Sequence, residues 1–271
     1  MNYKEENKRL KDEVRCLREQ LQALEAEHLK SAFLVNFSHE IRTPISGIIA
    51  LLNVLQQNDT FSDKVREIIA LISDNSKHLL ALMNDILDEA KIKAGQLTIQ
   101  PMPVNINKMM TETRFFFENL LQKKDKDNVH IEICFDETVD ESMIMVDPVR
   151  LKQILYNLMS NAVKFTHKGY IHFGYRLADD DTLEFWVEDT GIGIPTEQLS
   201  DIFERFRQAE RCNDKKYGGT GLGLTISKNL ALLMGGDMHA KSTEGKGSTF
   251  YFTIPYVPHV ECEALGIKIT E

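Results

Sequence analysis

Asn157, Asn161 and Lys164 stand at i, i+4 and i+7 in ILYNLMSNAVKF, so a helix through them carries all three on one face. Leu155, Leu158 and Val163 fill the other face. Carboxamide oxygens suit a hard cation such as Mg²⁺, which keeps several waters and also binds phosphates, and a nearby Lys adds a point charge for the same phosphates. Three glycine-bearing stretches follow: DTGIGIP (189 to 195), GGTGLGL (218 to 224) and EGKGSTF (244 to 250). A Gly-x-Gly turn lets backbone amides approach a phosphate closely, and Gly221 and Gly223 sit where a loop enters a helix whose N-terminal N–H groups favour an anion. Any one of these stretches is equally an ordinary turn. Together they point to a nucleoside triphosphate with magnesium, in a pocket of another kind than a P-loop, since G-x-x-x-x-G-K-[ST] is absent.

A second chemistry is written in VNFSHEIRTPISG, where His39 is followed at once by Glu40 and five residues later by Pro44. A neutral imidazole is a nucleophile, and a reference pKa near ~6.5 leaves much of it neutral at physiological pH. An adjacent carboxylate can take the Nδ1 proton as Nε2 attacks. Pro44 removes a backbone donor and bends a helix locally, which helps to expose His39. By itself, a His in a charged helix is also an ordinary surface residue.

The elements that must position these groups follow from periodicity. Leu10, Val14, Leu17, Leu21 and Leu24 alternate steps of four and three, a heptad seam that predicts a parallel dimeric coiled coil over 1–30. Helical patterns run over about 28–57 and 63–94, the second carrying Val65, Ile68, Ile72, Leu79, Met83 and Ile86, with QQNDTFS as the turn between them. A lone hairpin cannot bury an apolar stripe on each arm, so pairing of two chains into a four-helix bundle is expected. Gly95, Pro101 and Pro103 then punctuate the chain. Beyond them, 129–135, YIHFGYRL, TLEFWVED and TFYFTIPY read as strands and 105–122, 149–164 and 221–234 as helices. The expected fold class is α+β: a coiled coil, a helical hairpin in a dimeric bundle, then an α/β sandwich with a mostly antiparallel sheet and its helices on one face. The domains are expected at 1–30, 31–96 and 101–257, with 258–271 as a tail or linker.

Composition narrows the function classes. The 271 residues carry 32 Lys plus Arg against 41 Asp plus Glu, a net charge of -9, so a sequence-independent grip on nucleic acid is disfavoured. Cys16, Cys134, Cys212 and Cys262 are far apart, with no C-x-x-C pair, and suggest reduced thiols in cytoplasm. No stretch approaches the ~20 apolar residues of a membrane span.

In this order the motifs resemble those of the sensor histidine kinases of two-component signalling. FSHEIRTPI looks like the H box, NLMSNAVKFT the N box, DTGIGIP the first glycine box, FERF (203 to 206) the F box, GGTGLGL the second glycine box and GKGSTF the third. The resemblance, over about 28–256, implies a dimerisation and phosphotransfer bundle followed by a Bergerat-type ATP-binding domain. It implies ATP and Mg²⁺, with His39 as phosphoacceptor and Glu40 as its general base. Asn161 becomes the principal Mg²⁺ ligand with Asn157 beside it, Lys164 approaches the phosphates and Phe165 borders the adenine. Asp189 accepts the adenine amino group, Gly191 and Gly193 shape that side, and Gly219, Gly221 and Gly223 form the phosphate loop. Thr249 is placed near the adenine through Asp189. The polar run RQAERCNDKKYG reads as a mobile lid whose Arg207, Arg211, Lys215 and Lys216 could reach the γ-phosphate. Thr43 matches the position that orients water on a phosphorylated regulator, which makes regulator phosphatase one alternative, though a threonine there is equally an ordinary helix residue. An ATP-responsive dimer without kinase output is the other. Implied partners are a second copy of the chain, an upstream sensor and a response-regulator receiver domain. The implied location is cytoplasmic, either as a soluble protein or as the inner part of a membrane-bound sensor.

Overall fold

The computed structural model describes residues 41, 43, 45–55, 62–124, 126, 128–136, 139, 143–179, 181–204 and 221–258. The coiled coil expected over 1–30, His39, Glu40, Gly219, the polar run before Gly221 and the tail past Pro258 lie outside them. The chain divides into two compact units, Met1–Thr98 and Ile99–Glu271.

The first unit contains helix α1 (45–55) and the 31-residue helix α2 (Asp63–Lys93). Of the expected turn QQNDTFS only Ser62 is among the described residues, its carbonyl taking the first bonds of α2 from the N–H groups of Val65 and Arg66. Gly95 ends α2 at φ +63°, with Gly95 N–H donating to the Ile92 carbonyl and Gln96 N–H to that of Lys91. That is a Schellman closure, and glycine makes its left-handed residue cheap. Ile45 and Leu52 are buried on α1, and Ile69, Leu87 and Ala90 on α2.

The second unit is a five-stranded mixed sheet covered by helices, beside a two-stranded ribbon. Strand β1 (Met102–Asn105) pairs antiparallel with β3 (Met143–Val146) to form the ribbon. The main sheet takes β2 (Val129–Cys134), β4 (Gly169–Asp179), β5 (Thr182–Asp189), β6 (Met238–Thr243) and β7 (Gly247–Pro255) in the order β2-β4-β5-β7-β6. All neighbours are antiparallel except β2 and β4. Parallel neighbours need a crossover, and it contains β3 and helix α4 (Pro148–Phe165). Helix α3 (Ile106–Lys123) packs on β2, α4 on β5, and α5 (Gly223–Leu233) on β6 and β7.

The alternation of β5, Leu183, Phe185 and Val187 inward with Glu184, Trp186 and Glu188 outward, fixes which face the helices cover. Ile171, Phe173 and Tyr175 of β4 and Phe250, Phe252 and Ile254 of β7 continue the inward layer. Each of these buried side chains contributes about 1.5–3 kcal/mol of transfer free energy. The acidic hairpin between β4 and β5 forms where the residue pattern placed it, Asp181 N–H donating to the Asp179 carboxylate. Three strands, β1, β3 and β6, were not foreseen.

Candidate functional site

Helix α4 starts at Asp147, whose carboxylate caps the N–H groups of Val149 and Arg150 and also accepts from Gln100 N–H. Pro148 takes the first helical position, where no donor is missed. At the other end the Lys126 ammonium donates to the carbonyls of Val163 at 2.6 Å and Thr166 at 2.8 Å, satisfying orphan groups of the last turn. Burial, helped by Lys124, lowers the pKa of Lys126.

Between these fixed ends α4 buries Leu151, Ile154, Leu155, Leu158, Met159, Ala162 and Val163. Asn157, Asn161, Lys164 and Phe165 are half-buried. The expected polar face therefore exists, and the Lys164 ammonium lies 4.7 Å from the centre of the Phe165 ring, a cation–π contact. Asn157 Nδ2 donates to Ser227 Oγ of α5 at 2.8 Å, and Ser227 is 1% exposed. A Cβ on Gly223 would fall 2.4 Å from Asn157 Oδ1. The carboxamide is thus seated on α5 between the first residue of that helix and the residue one turn on. Gly221, at φ +68°, precedes it.

At the end of β5, Asp189 is 6% exposed and accepts from Gly191 N–H at 2.7 Å. Burial pushes its carboxyl up to about 6, while backbone N–H bonds from Gly191 and Ser248 pull the other way and Glu188 adds a little to the rise. A Cβ on Gly191 would meet the Phe165 carbonyl oxygen at 2.6 Å and Asp189 Oδ1 at 2.7 Å, so the two motifs touch only because that residue is glycine. Gly193, at φ +67°, leaves no room either, with the Thr243 carbonyl 2.1 Å from its would-be Cβ.

The register corrects one expectation. Ser248, not Thr249, is paired with Asp189, and Thr249 is paired with Glu188. Successive residues of a strand point to opposite faces, so Thr249 belongs to the face away from Asp189, with Trp186 and Tyr251. Ser248, 7% exposed, belongs to the Asp189 face. Ser242 of β6 continues the row, paired with Ser248.

The structure thus brings Phe165, Asp189, Gly191 and Ser248 to one end of the site and Asn157 with Gly223 to the other, with Asn161 and Lys164 along α4 between them. Phe203 of the expected F box ends a 3₁₀ turn (Asp201–Phe203), held by Thr225 Oγ1 donating to its carbonyl and by the Lys228 ammonium 4.9 Å from the centre of its ring. Thr43 is helical and exposed in the first unit. Sequence reasoning missed Lys126, Ser227, Ser242 and Ser248; Ser248 alone carried a signal, as the residue that shares its strand's inward parity with Phe250 and Phe252.

Among the described residues no cluster of three or more His, Cys, Asp or Glu could hold a metal; the neutral oxygen donors that the half-buried face of α4 offers are the carboxamides of Asn157 and Asn161. These fit a hard cation such as Mg²⁺: the Asn157 amide is oriented by the bond from its Nδ2, and its Oδ1 lies in the space left by the missing Cβ of Gly223.

Two family models match the chain. Residues 29–95 match the His Kinase A (phospho-acceptor) domain, and 146–258 the histidine kinase-, DNA gyrase B- and HSP90-like ATPase. A hybrid signal transduction histidine kinase B of Dictyostelium discoideum is 41% identical over 85% of this chain and 12% of its own length. The autoinducer 2 sensor kinase/phosphatase LuxQ of Vibrio parahaemolyticus is 37% identical over 86% of this chain and 27% of its own. The circadian input-output histidine kinase CikA of Synechococcus elongatus is 39% identical over 85% and 30%. The chain thus spans less than a third of the length of these relatives. Among solved structures, full-length ShkA in complex with AMPPNP superposes with a TM-score of 0.67 at 29% identity, over 83% of this chain and 46% of that one. No described helix is long and apolar enough to cross a membrane.

Proposed function

From a chain that belongs to the sensor histidine kinases of two-component signalling, we propose an ATP-dependent protein-histidine kinase that phosphorylates its own His39 and hands the phosphoryl group to an aspartate of a response-regulator receiver domain. The observation that supports the nucleotide half of this reading most directly is the buried Asp189 carboxylate held by Gly191 against the Phe165 end of α4, the helix whose other end seats Asn157 on Gly223. From Asn157 to Phe165 the helix rises roughly 12 Å, room for a purine at one end and a polyphosphate at the other. Asp189 accepts the exocyclic amine of adenine, Phe165 borders the ring, and Gly191 and Gly193 shape that side. Asn161, with Asn157, holds Mg²⁺. The cation neutralises phosphate charge when bound. Lys164 adds its own charge, and Gly219, Gly221 and Gly223 offer backbone N–H groups to the phosphates.

The chemical step belongs to His39 and Glu40. Nε2 attacks the γ-phosphorus in line, the bond to the β,γ-bridging oxygen breaks with its electrons leaving on ADP, and the Nδ1 proton passes to Glu40. The product is a phosphoramidate. A second chain completes the bundle, and the N-terminal coil over 1–30 connects it to an upstream sensor. The exposed helical Thr43, four residues after His39 in the sequence, favours regulator phosphatase as a second activity, the pairing named for the Vibrio relative.

The test is incubation with ATP labelled at the γ-phosphate and magnesium, then treatment with acid and alkali. Label lost in acid, stable in alkali and absent from His39→Gln is the expected result. Label that persists in His39→Gln, or that survives acid, would contradict it.

A further inference from the structure

Asp189, Ser248 and Ser242 are successive partners across β5, β7 and β6, so their side chains form one polar row on the helix-covered face of the sheet. The Ser242 hydroxyl is engaged three times. It donates to the Gly247 carbonyl at 2.8 Å, accepts from Ile194 N–H at 2.8 Å, and lies 2.9 Å from Ser248 Oγ. A hydroxyl has one proton and two lone pairs. The carbonyl can only accept, so the Ser242 proton is committed there. The bond between the two serines must therefore take its proton from Ser248. With its one donor spent on Ser242, Ser248 has only lone pairs to offer beside Asp189, itself an acceptor when ionised.

We infer that Ser242 is a positioning residue that sets which base the site accepts, by holding the Ser248 hydroxyl proton away from the ligand. The inference rests on the nucleotide reading given above and deepens it. A row of acceptors favours a base edge that brings a donor, the exocyclic amine of adenine, and disfavours a 6-oxo purine, whose carbonyl would face the carboxylate and the serine lone pairs. The same hydroxyl also ties the loop after Asp189 to the β6–β7 hairpin through Ile194. Gly245 N–H, donating to the Ile192 carbonyl at 2.8 Å, makes a second tie that needs no side chain. Loss of the Ser242 hydroxyl thus leaves the loop attached and frees the Ser248 proton to turn toward the ligand.

Calorimetric titration of the 271-residue chain with ADP and with inosine diphosphate tests this. In Ser242→Ala the preference for ADP is expected to fall about fivefold, the worth of one neutral hydrogen bond. Ser242→Thr, which keeps the hydroxyl, should retain the preference. Ser242→Ala combined with Ser248→Ala, which has no hydroxyl left to turn, should regain it. If the alanine variant does not fold, Ser242→Cys fills the site with a weaker acceptor and should show a smaller change of the same sign. An equal loss of affinity for both nucleotides, or an unchanged ratio, would mean that Ser242 only braces the loop and would overturn the inference. Failure of the unaltered chain to bind ADP would instead remove the nucleotide reading, and this inference with it.

Discussion

A carboxyl buried as Asp189 is costs the fold stability when it ionises, because the backbone N–H groups of Gly191 and Ser248 replace only part of its lost hydration. Its folded pKa, about 6, lies above the 3.8 of the free group, so between those values the folded chain binds more protons than the unfolded one. Stability therefore falls as pH rises through that window and levels off above it, by about 3 kcal/mol in total. Urea unfolding at about pH 4 and pH 7 should show this slope, and Asp189→Asn should flatten it. Nucleotide affinity should run the opposite way, strengthening as pH rises through 6, since the carboxylate is the better acceptor for an amine. Asp189 itself was legible through the resemblance of DTGIGIP to the first glycine box, a role that its position at the end of an apolar strand allows. Its neighbour was not: Thr249 and Ser248 differ by one position, and only the β5–β7 register says which faces the site. Ser242 and Ser227 were further out of reach, since Ser227 acts through Asn157 seventy residues away and Ser242 through a cross-strand pairing with Ser248 that only the β6–β7 register gives.

Helices α4 and α5 act as a pair, joined where the Asn157 amide seats on Ser227 and Gly223. Gly223→Ala would drive a methyl group into Asn157 Oδ1, and a magnesium-dependent gain in ADP affinity should largely disappear while ADP binding without magnesium persists; titration with and without the cation separates the two. At the far end, Lys126→Met removes both carbonyl bonds of the α4 terminus and should cost about 1–2 kcal/mol by chemical denaturation. The long elements were readable because period and punctuation agreed. Alpha-helices α2, α3, α4 and α5 and strands β2, β4, β5 and β7 all appear within a few residues of their patterns. Strands β1 and β3 are four residues each, too short for alternation to show, and β3 runs directly into the α4 cap. In β6 only Met238 is buried, because the strand lies at the sheet edge and its remaining residues, HAKST, are polar or small.

At the scale of the whole molecule, α2 carries both buried and exposed apolar residues. Ile69, Leu87 and Ala90 are buried, while Val65, Ile68, Ile72, Leu79 and Ile86 remain between 38% and 50% exposed. An apolar row of that length is costly to leave in water, and a second copy of the same helix is the occupant that a four-helix bundle supplies. Ile72→Glu is expected to shift the sedimenting species from dimer to monomer, and an unchanged dimer would place the interface elsewhere. The measurement that bears most directly on the structure is calorimetric titration of the chain with ATP in the absence of magnesium, beside GTP and beside Asp189→Asn. Binding of ATP, weak or absent binding of GTP, and loss of ATP binding in Asp189→Asn with the fold intact are the predicted results. Equal binding of both nucleotides, or ATP binding that survives Asp189→Asn, would contradict a base-recognition site at the end of β5.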